Sequence, residues 1–229
     1  MITNFNNISV ANADFEQKVK QLKQSLKSRM NGKTTEQMQN GQIDYALNYG
    51  VSLAHVRELA DTLDYTPTEC SLLWQLNIRE AMLIAAMKMP SEKTTTDEML
   101  RWTALIRTPD MVEQGAFFLF WRILDIDNFA MAIMATNQPY RQSIAMFSVA
   151  RAMQKGREVK NETINELLQV VSSIEQFTPS EARATSILLR VLINKDDYSM
   201  KVKSVLQQLK SSADDLAKQI AFEVESSVF

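Results

Sequence analysis

Residues that break helices are scarce in this sequence, which has five glycines and five prolines among 229 residues. A fold made of many strands needs many turns, and glycine and proline are the commonest turn residues. A disordered chain is also usually richer in proline and glycine than this one. The thirteen methionines, and the many alanines, leucines, glutamines and glutamates, favour helices. We therefore expect an all-α fold.

Cysteine and long apolar runs are also nearly absent. The single cysteine, Cys70, excludes an intramolecular disulfide and fits a reducing compartment, so we predict a cytoplasmic protein in which Cys70 is a small buried residue. No apolar run approaches the roughly 18 residues that a membrane-spanning helix needs. The N-terminus lacks the basic and apolar regions of a signal peptide. We expect no membrane partner.

An excess of basic residues is missing too, since the formal net charge is −2. Nucleic-acid-binding domains usually carry a basic excess, so this balance weakens that function, although a local basic face can exist within it. The sequence has no glycine-rich phosphate loop, no HExxH motif and no cysteine cluster. His55 is the single histidine of the sequence, and a lone histidine is a weak candidate for a metal ligand. We expect no metal and no cofactor.

Helical pairing is clearest in residues 72–89, LLWQLNIREAMLIAAMKM. They are typical of one helix ending, a bend at Asn77 and a second helix, each helix with an apolar stripe. Such a helical hairpin cannot bury its apolar face alone and needs further pairs stacked on it.

Three helix starts share one chemistry. Thr66 and Thr178 each precede a proline and have a glutamate three residues on, which predicts a capping box, and Thr108 precedes Pro109 and an acid. The 42 residues from Thr66 to Thr108 are close to the length of a two-helix HEAT repeat, whereas the longer step to Thr178 makes the repeat irregular.

The organisation predicted from these patterns is a flexible segment at residues 1–13 and a single domain at 14–229. The domain is expected to be a HEAT-like-repeat α-α superhelix, a solenoid of antiparallel helix pairs, because no linker rich in glycine, proline or serine interrupts it. Helices are predicted from Asp14 and from Ser52, and at 98–106, 115–124, 143–153, 161–174, 180–193, 198–209 and 213–224. We expect Trp74, Trp102 and Trp121 to lie mainly in the core.

Four short segments carry a further signal: Arg29-Met30, Tyr49-Gly50-Val51-Ser52 with Arg57, Leu73-Trp74-Gln75-Leu76 and Arg79-Glu80. Together they resemble the DNA alkylation repair family, a group of HEAT-like-repeat DNA glycosylases. The resemblance extends over roughly residues 15 to 210 and rests mainly on packing and turn positions. It implies a helical superhelix whose concave face holds duplex DNA.

The resemblance also implies an activity. Active members of the family hydrolyse the N-glycosidic bond of cationic alkylated purines. An aspartate stabilises the positive charge that develops on the deoxyribose, and tryptophans and an arginine line the groove.

This chain departs from that pattern at the catalytic positions. On the register of the resemblance, Ala116 stands where the aspartate is expected and neither groove tryptophan precedes it. Gln142 or Ser143 occupies the position of the groove arginine, and Ile187 that of a later tryptophan. The catalytic residues are therefore unknown. Glu113 and Asp110 are weak candidates, since an exposed helical glutamate is common and an acid in a first helical turn has a structural role.

Residues 137–160 carry five cationic residues against Glu158 alone, and Arg183 and Arg190 lie seven apart on one helix. We predict Arg141, Arg151, Lys155, Arg183 and Arg190 as DNA-binding residues; the alternative is an ordinary solvated basic face. The predicted function is a DNA-associated helical-repeat protein whose glycosylase activity is doubtful, with duplex DNA as partner. The alternative is a non-enzymatic scaffold that holds a protein partner in its groove.

Overall fold

The computed structural model describes residues 13–40 and 45–227, and within them all regular structure is helical apart from a single bridge between Leu47 and Ile78. The all-α prediction is confirmed. Residues 1–12 of the predicted flexible segment lie outside the described residues. The helices are α1 (Ala13–Lys27), α2 (Gly32–Asn40), α3 (Leu53–Thr62), α4 (Pro67–Gln75), α5 (Arg79–Lys88), α6 (Thr96–Thr103), α7 (Pro109–Phe118), α8 (Ile126–Met134), α9 (Arg141–Gln154), α10 (Asn161–Ser173), α11 (Pro179–Ile193), α12 (Asp196–Lys210) and α13 (Asp215–Glu225).

The chain divides into two compact units, one reaching Met89 and the other beginning at Pro90. The single domain expected over residues 14–229 stays a prediction.

In the first unit the helical hairpin forms as the sequence predicts. Helices α4 and α5 pack together and α3 packs on α5, with Asn77 in a left-handed conformation (φ 52°) at the bend. Thr66 makes the predicted capping box with Glu69, and Ser52 caps α3. Trp74 and Cys70 are buried, as expected.

A buried carboxylate holds the loop before α3. Glu80 is fully buried and accepts hydrogen bonds from the backbone N–H groups of Tyr49 (3.2 Å) and Val51 (3.1 Å). Between them Gly50 has a φ of 67°, and a Cβ there would lie 2.4 Å from the carbonyl oxygen of Asn31. Only glycine fits this position. The resemblance at residues 49–52 and 79–80 therefore rests on one structural contact.

The second unit is built from two layers of helices. Helices α7, α9, α11 and α13 pack side by side in that order and form one layer, which we call the inner layer. Helices α6, α8, α10 and α12 pack in the same way and form the outer layer. Thr178 and Thr108 cap α11 and α7 as predicted, and Trp102 is buried whereas Trp121 is half-buried.

The helix predicted at residues 115–124 is wrong. Helix α7 ends at Phe118, and a short 3₁₀ turn follows at Phe120–Arg122. This turn buries Phe120 completely, with its ring stacked 5.5 Å from that of Phe129 on α8 and so close to Gly115 that a Cβ there would lie 2.7 Å from it. The carbonyl groups of the turn are bound by the Arg157 guanidinium, which donates to Trp121, Ile123 and Leu124 at 2.5, 2.7 and 2.8 Å.

Helices α2 and α8 were not predicted. Helix α2 is polar on all sides and has no apolar stripe to reveal it. Helix α8 is the buried partner of α9, and its start is marked only by Asp125, which caps it through the N–H of Asn128.

Candidate nucleic-acid interface

A pocket of about 260 Å³ opens on the inner layer of the second unit, between α7, α9 and α11. Each helix turns one face towards it, because the contributing residues are spaced three or four apart. They are Glu113, Ala116 and Phe117 from α7, Phe147, Arg151 and Gln154 from α9, and Ile187 and Arg190 from α11.

The two positions that the resemblance assigns to the lost aspartate and tryptophan, Ala116 and Ile187, lie in this pocket. The position of the groove arginine was predicted less well. Ser143, one of the two residues predicted in its place, is completely buried and does not line the pocket, whereas Arg151 does. Two cations, Arg151 and Arg190, accompany Ala116 in this pocket.

Arg151 is held over an aromatic ring. Its guanidinium carbon lies 3.8 Å from the centroid of the Phe117 ring, and its Nη1 donates to Gln154 at 3.4 Å. A guanidinium stacked on a ring face is attracted to the ring, so this contact orients the Arg151 side chain within the pocket. Phe117 is 36% exposed and was not singled out in the sequence, where it lies within an apolar run.

Glu113 forms an ion pair with Arg183. Arg183 Nε and Nη2 donate to the two carboxylate oxygens at 2.6 and 2.8 Å, a bidentate arrangement between α11 and α7. This hydrogen bonding from Glu113 raises the pKa of Arg183, although desolvation opposes it. The Arg183 side chain is 63% exposed, so the pair contributes little to stability. A predicted catalytic candidate and a predicted DNA-binding residue are thus partners.

A second pocket, of about 350 Å³, lies between α11 and α13 and shares Ile187 and Arg190 with the first. The acidic residue that lines this second pocket is Glu223. Its carboxylate accepts hydrogen bonds from Gln219 and Ser186 at 2.9 Å each and from Arg190 at 3.2 Å. These hydrogen bonds, from Gln219 first, lower the pKa of Glu223. Its carboxylate is therefore ionised and neutralises Arg190.

The remaining candidates do not line either pocket. Arg141 begins α9 and Lys155 follows its end, and neither lines a pocket described above. Asp110 lies in the first turn of α7, where the helix dipole favours an acid. The basic run at residues 137–160 is thus not one surface, because Arg151 faces the first pocket and Arg157 binds carbonyl groups.

Metal and membrane features were sought in the same residues. Within 13–40 and 45–227 no three His, Cys, Asp or Glu side chains are grouped so that they could hold a metal ion, and His55 is exposed. None of the helices in those ranges has the length and apolar character needed to cross a membrane.

Comparison with known proteins agrees with this architecture. A family model described as DNA alkylation repair enzyme matches residues 22–221. A solved structure, described as a new family of proteins related to the HEAT-like repeat DNA glycosylases with affinity for branched DNA structures, aligns with a TM-score of 0.73. That alignment has 13% identity and covers 90% of this chain and 94% of the other. A comparison with curated proteins finds no match.

The predicted HEAT-like-repeat fold is therefore confirmed, and the family match extends over most of the sequence. This chain belongs to the DNA alkylation repair enzyme family.

Proposed function

We propose that this protein binds DNA through the inner layer of its second unit and does not excise alkylated bases. The observation that carries the proposal is the first pocket. There Arg151 and Arg190 lie beside Ala116, which has no carboxylate, at the position that the resemblance assigns to the catalytic aspartate. The pocket has groups that suit a nucleic acid, whereas the position of the catalytic aspartate has no group that would stabilise a developing sugar cation.

The arginines suit phosphate for geometric reasons. A guanidinium offers a planar fork of N–H donors that matches two phosphate oxygens. Arg151 is already oriented by Phe117 and Gln154, so less conformational freedom is lost when it binds. Lys155 and Arg141, at the two ends of α9, are further candidates for contacts with the phosphate backbone.

Branched DNA is the form of DNA that we favour. The structural neighbour is described as having affinity for branched DNA structures, and its fold is shared over most of both chains. The sequence identity is only 13%, so the substrate form remains part of the proposal. The cytoplasmic location predicted from the cysteine content also remains part of it.

Among the described residues Glu113 is the one carboxylate that lines the first pocket, and it is bound at both oxygens by Arg183. A carboxylate neutralised by a guanidinium stabilises an oxocarbenium-like transition state less than a free one. This argues against Glu113 as a relocated catalytic residue.

The experiment is fluorescence anisotropy with a linear duplex and a four-way junction of equal length, each at two salt concentrations. We expect salt-sensitive binding, tighter for the junction, because phosphate contacts release counterions. A parallel assay on a duplex containing an N-alkylated purine should show no release of the base. Release by the wild-type protein would contradict the loss of activity.

The matched variants are Arg151→Gln and Arg101→Gln, each of which removes one arginine charge. Arg101 is exposed on α6 in the outer layer. The first should weaken binding and lower the slope of log K against log salt by about one, and the second should leave both unchanged. Equal effects in the two variants would remove the inner layer from the proposal.

A protein-binding scaffold is the second candidate. Glu113 and Glu223 neutralise Arg183 and Arg190 on the same face, and the net charge is −2. Such a balanced surface suits a protein partner in the groove. Absence of DNA binding even at low salt would favour this function over the first.

A further inference from the structure

Helix α1 carries a row of lysines that the function proposed above does not use. Lys20, Lys23 and Lys27 are all exposed and line one cleft in the first unit, together with Glu16, Val19, Gln24 and Tyr49. Their spacing of three and four residues places them on one face of the helix. In the sequence alone this row is most simply a solvated face.

These lysines differ from the fourth lysine of the helix. Lys18 is bound by Glu69 at 2.8 Å and by Asp14 at 3.2 Å. Among the residues that the structure describes, Lys20, Lys23 and Lys27 form no ion pair, and Glu16 is the one acid lining their cleft. The cleft is thus more basic than the arginine pockets, where each of two arginines has a carboxylate partner.

The floor of the cleft is fixed. Tyr49 is buried against it, and its backbone N–H donates to the buried Glu80, next to the constrained Gly50. Burial first, and then the Glu80 carboxylate, raise the pKa of Tyr49, so its phenol stays protonated. The lysines therefore stand over a rigid surface.

We propose that this cleft is a second DNA-contact site, in which Lys20, Lys23 and Lys27 bind phosphates of the backbone. The ligand follows from the length of the row: at about 1.5 Å per residue it is about 10.5 Å long, which is about three phosphate steps of a DNA strand at about 3.4 Å of helix axis each. A single small anion would engage one or two of these ammonium groups, whereas a polyanion can engage all three. This inference rests on the DNA binding proposed above.

The test is the salt dependence of DNA binding by the full chain. A Lys20→Gln, Lys23→Gln, Lys27→Gln triple variant is compared with the wild type and with a Lys93→Gln, Lys195→Gln, Lys203→Gln control. The control removes the same charge from exposed lysines of the second unit that line none of the pockets described above. We expect the slope of log K against log salt to fall by about three in the α1 variant and to change little in the control.

Wild-type binding with an unchanged slope in the α1 variant would overturn the second site and leave the proposed function standing. Absence of wild-type binding would overturn both. A second measurement uses only the wild-type protein, so it does not depend on the folding of a variant. Lysines are acetylated with and without DNA, and the extent of reaction at each lysine is measured by mass spectrometry. Lys20, Lys23 and Lys27 should react more slowly when DNA is present, while Lys93 and Lys203 should not; equal rates with and without DNA would also overturn the site.

Discussion

Arginine and glutamate partners determine what the inner layer can bind. Arg183 is paired with Glu113 and Arg190 with Glu223, so a DNA phosphate must compete with a carboxylate of the protein for each arginine. Arg151 is also held in place, by contacts that include the Phe117 ring and the Gln154 amide.

Glu113→Gln should therefore strengthen DNA binding. Removing a carboxylate close to a bound phosphate relieves a repulsion of about 1 kcal/mol, which corresponds to about a fivefold lower Kd. The stability should change by less than about 1 kcal/mol, because the ion pair is exposed. Anisotropy titration of the variant and the wild type measures the first effect, and urea denaturation the second.

The same variant distinguishes this view from catalysis by Glu113. A wild-type protein that releases alkylated bases, and a variant that does not, would make Glu113 the catalytic carboxylate.

Ion pairs of this kind could not be predicted from the sequence. Arg183 and Glu113 are 70 positions apart, and both had been singled out for other roles. Their contact depends on how α11 packs relative to α7, which no local pattern records. The placement of Ala116 and Ile187 was easier to predict from the sequence, because the resemblance assigns both positions to the groove, and both line the first pocket.

At the scale of elements, local chemistry predicted the starts of α3, α4, α7 and α11. The capping boxes at Thr66 and Thr178 and the proline after Thr108 lie where the sequence puts them, because these interactions involve residues three apart. The predicted end of α7 is wrong because residues far away in the sequence determine where the helix stops. The run after Gly115 is apolar throughout, and its break at Leu119 is set by Phe120 stacking on Phe129 and by Arg157.

Arg157→Lys should therefore destabilise the protein, although it keeps the charge. An ammonium group cannot span the three carbonyl groups that the guanidinium reaches, and the loss of charge-assisted hydrogen bonds should cost about 1.5–3 kcal/mol. Urea denaturation checks this, with Arg101→Lys on α6 as the control. An equal midpoint for the two variants would mean that the 3₁₀ turn does not depend on Arg157.

At the scale of the whole molecule, the number of unfolding transitions is the open question. Two compact units could unfold separately, whereas the predicted single domain would unfold in one transition. Met89 and Pro90 are adjacent, and only a few residues lie between α5 and the next helical turn at Ser91. Stacked helical repeats with no flexible linker usually unfold together.

We expect one transition in urea. Trp74 lies in the first unit and Trp102 and Trp121 in the second, so the fluorescence of a Trp74→Phe variant reports on the second unit alone. Its midpoint should coincide with that of far-UV circular dichroism on the same variant, which follows helices of both units. Two separate midpoints would show that the units unfold independently.

The Glu80 contact also sets an order of assembly during synthesis. The loop at Tyr49, Gly50 and Val51 leaves the ribosome about 30 residues before the carboxylate that binds its N–H groups. Until then the loop lacks the two hydrogen bonds that Tyr49 and Val51 donate to Glu80. Helix α3 and the loop before it therefore reach their final arrangement only after α5 has emerged, because α3 packs on α5 and the loop is bound by Glu80.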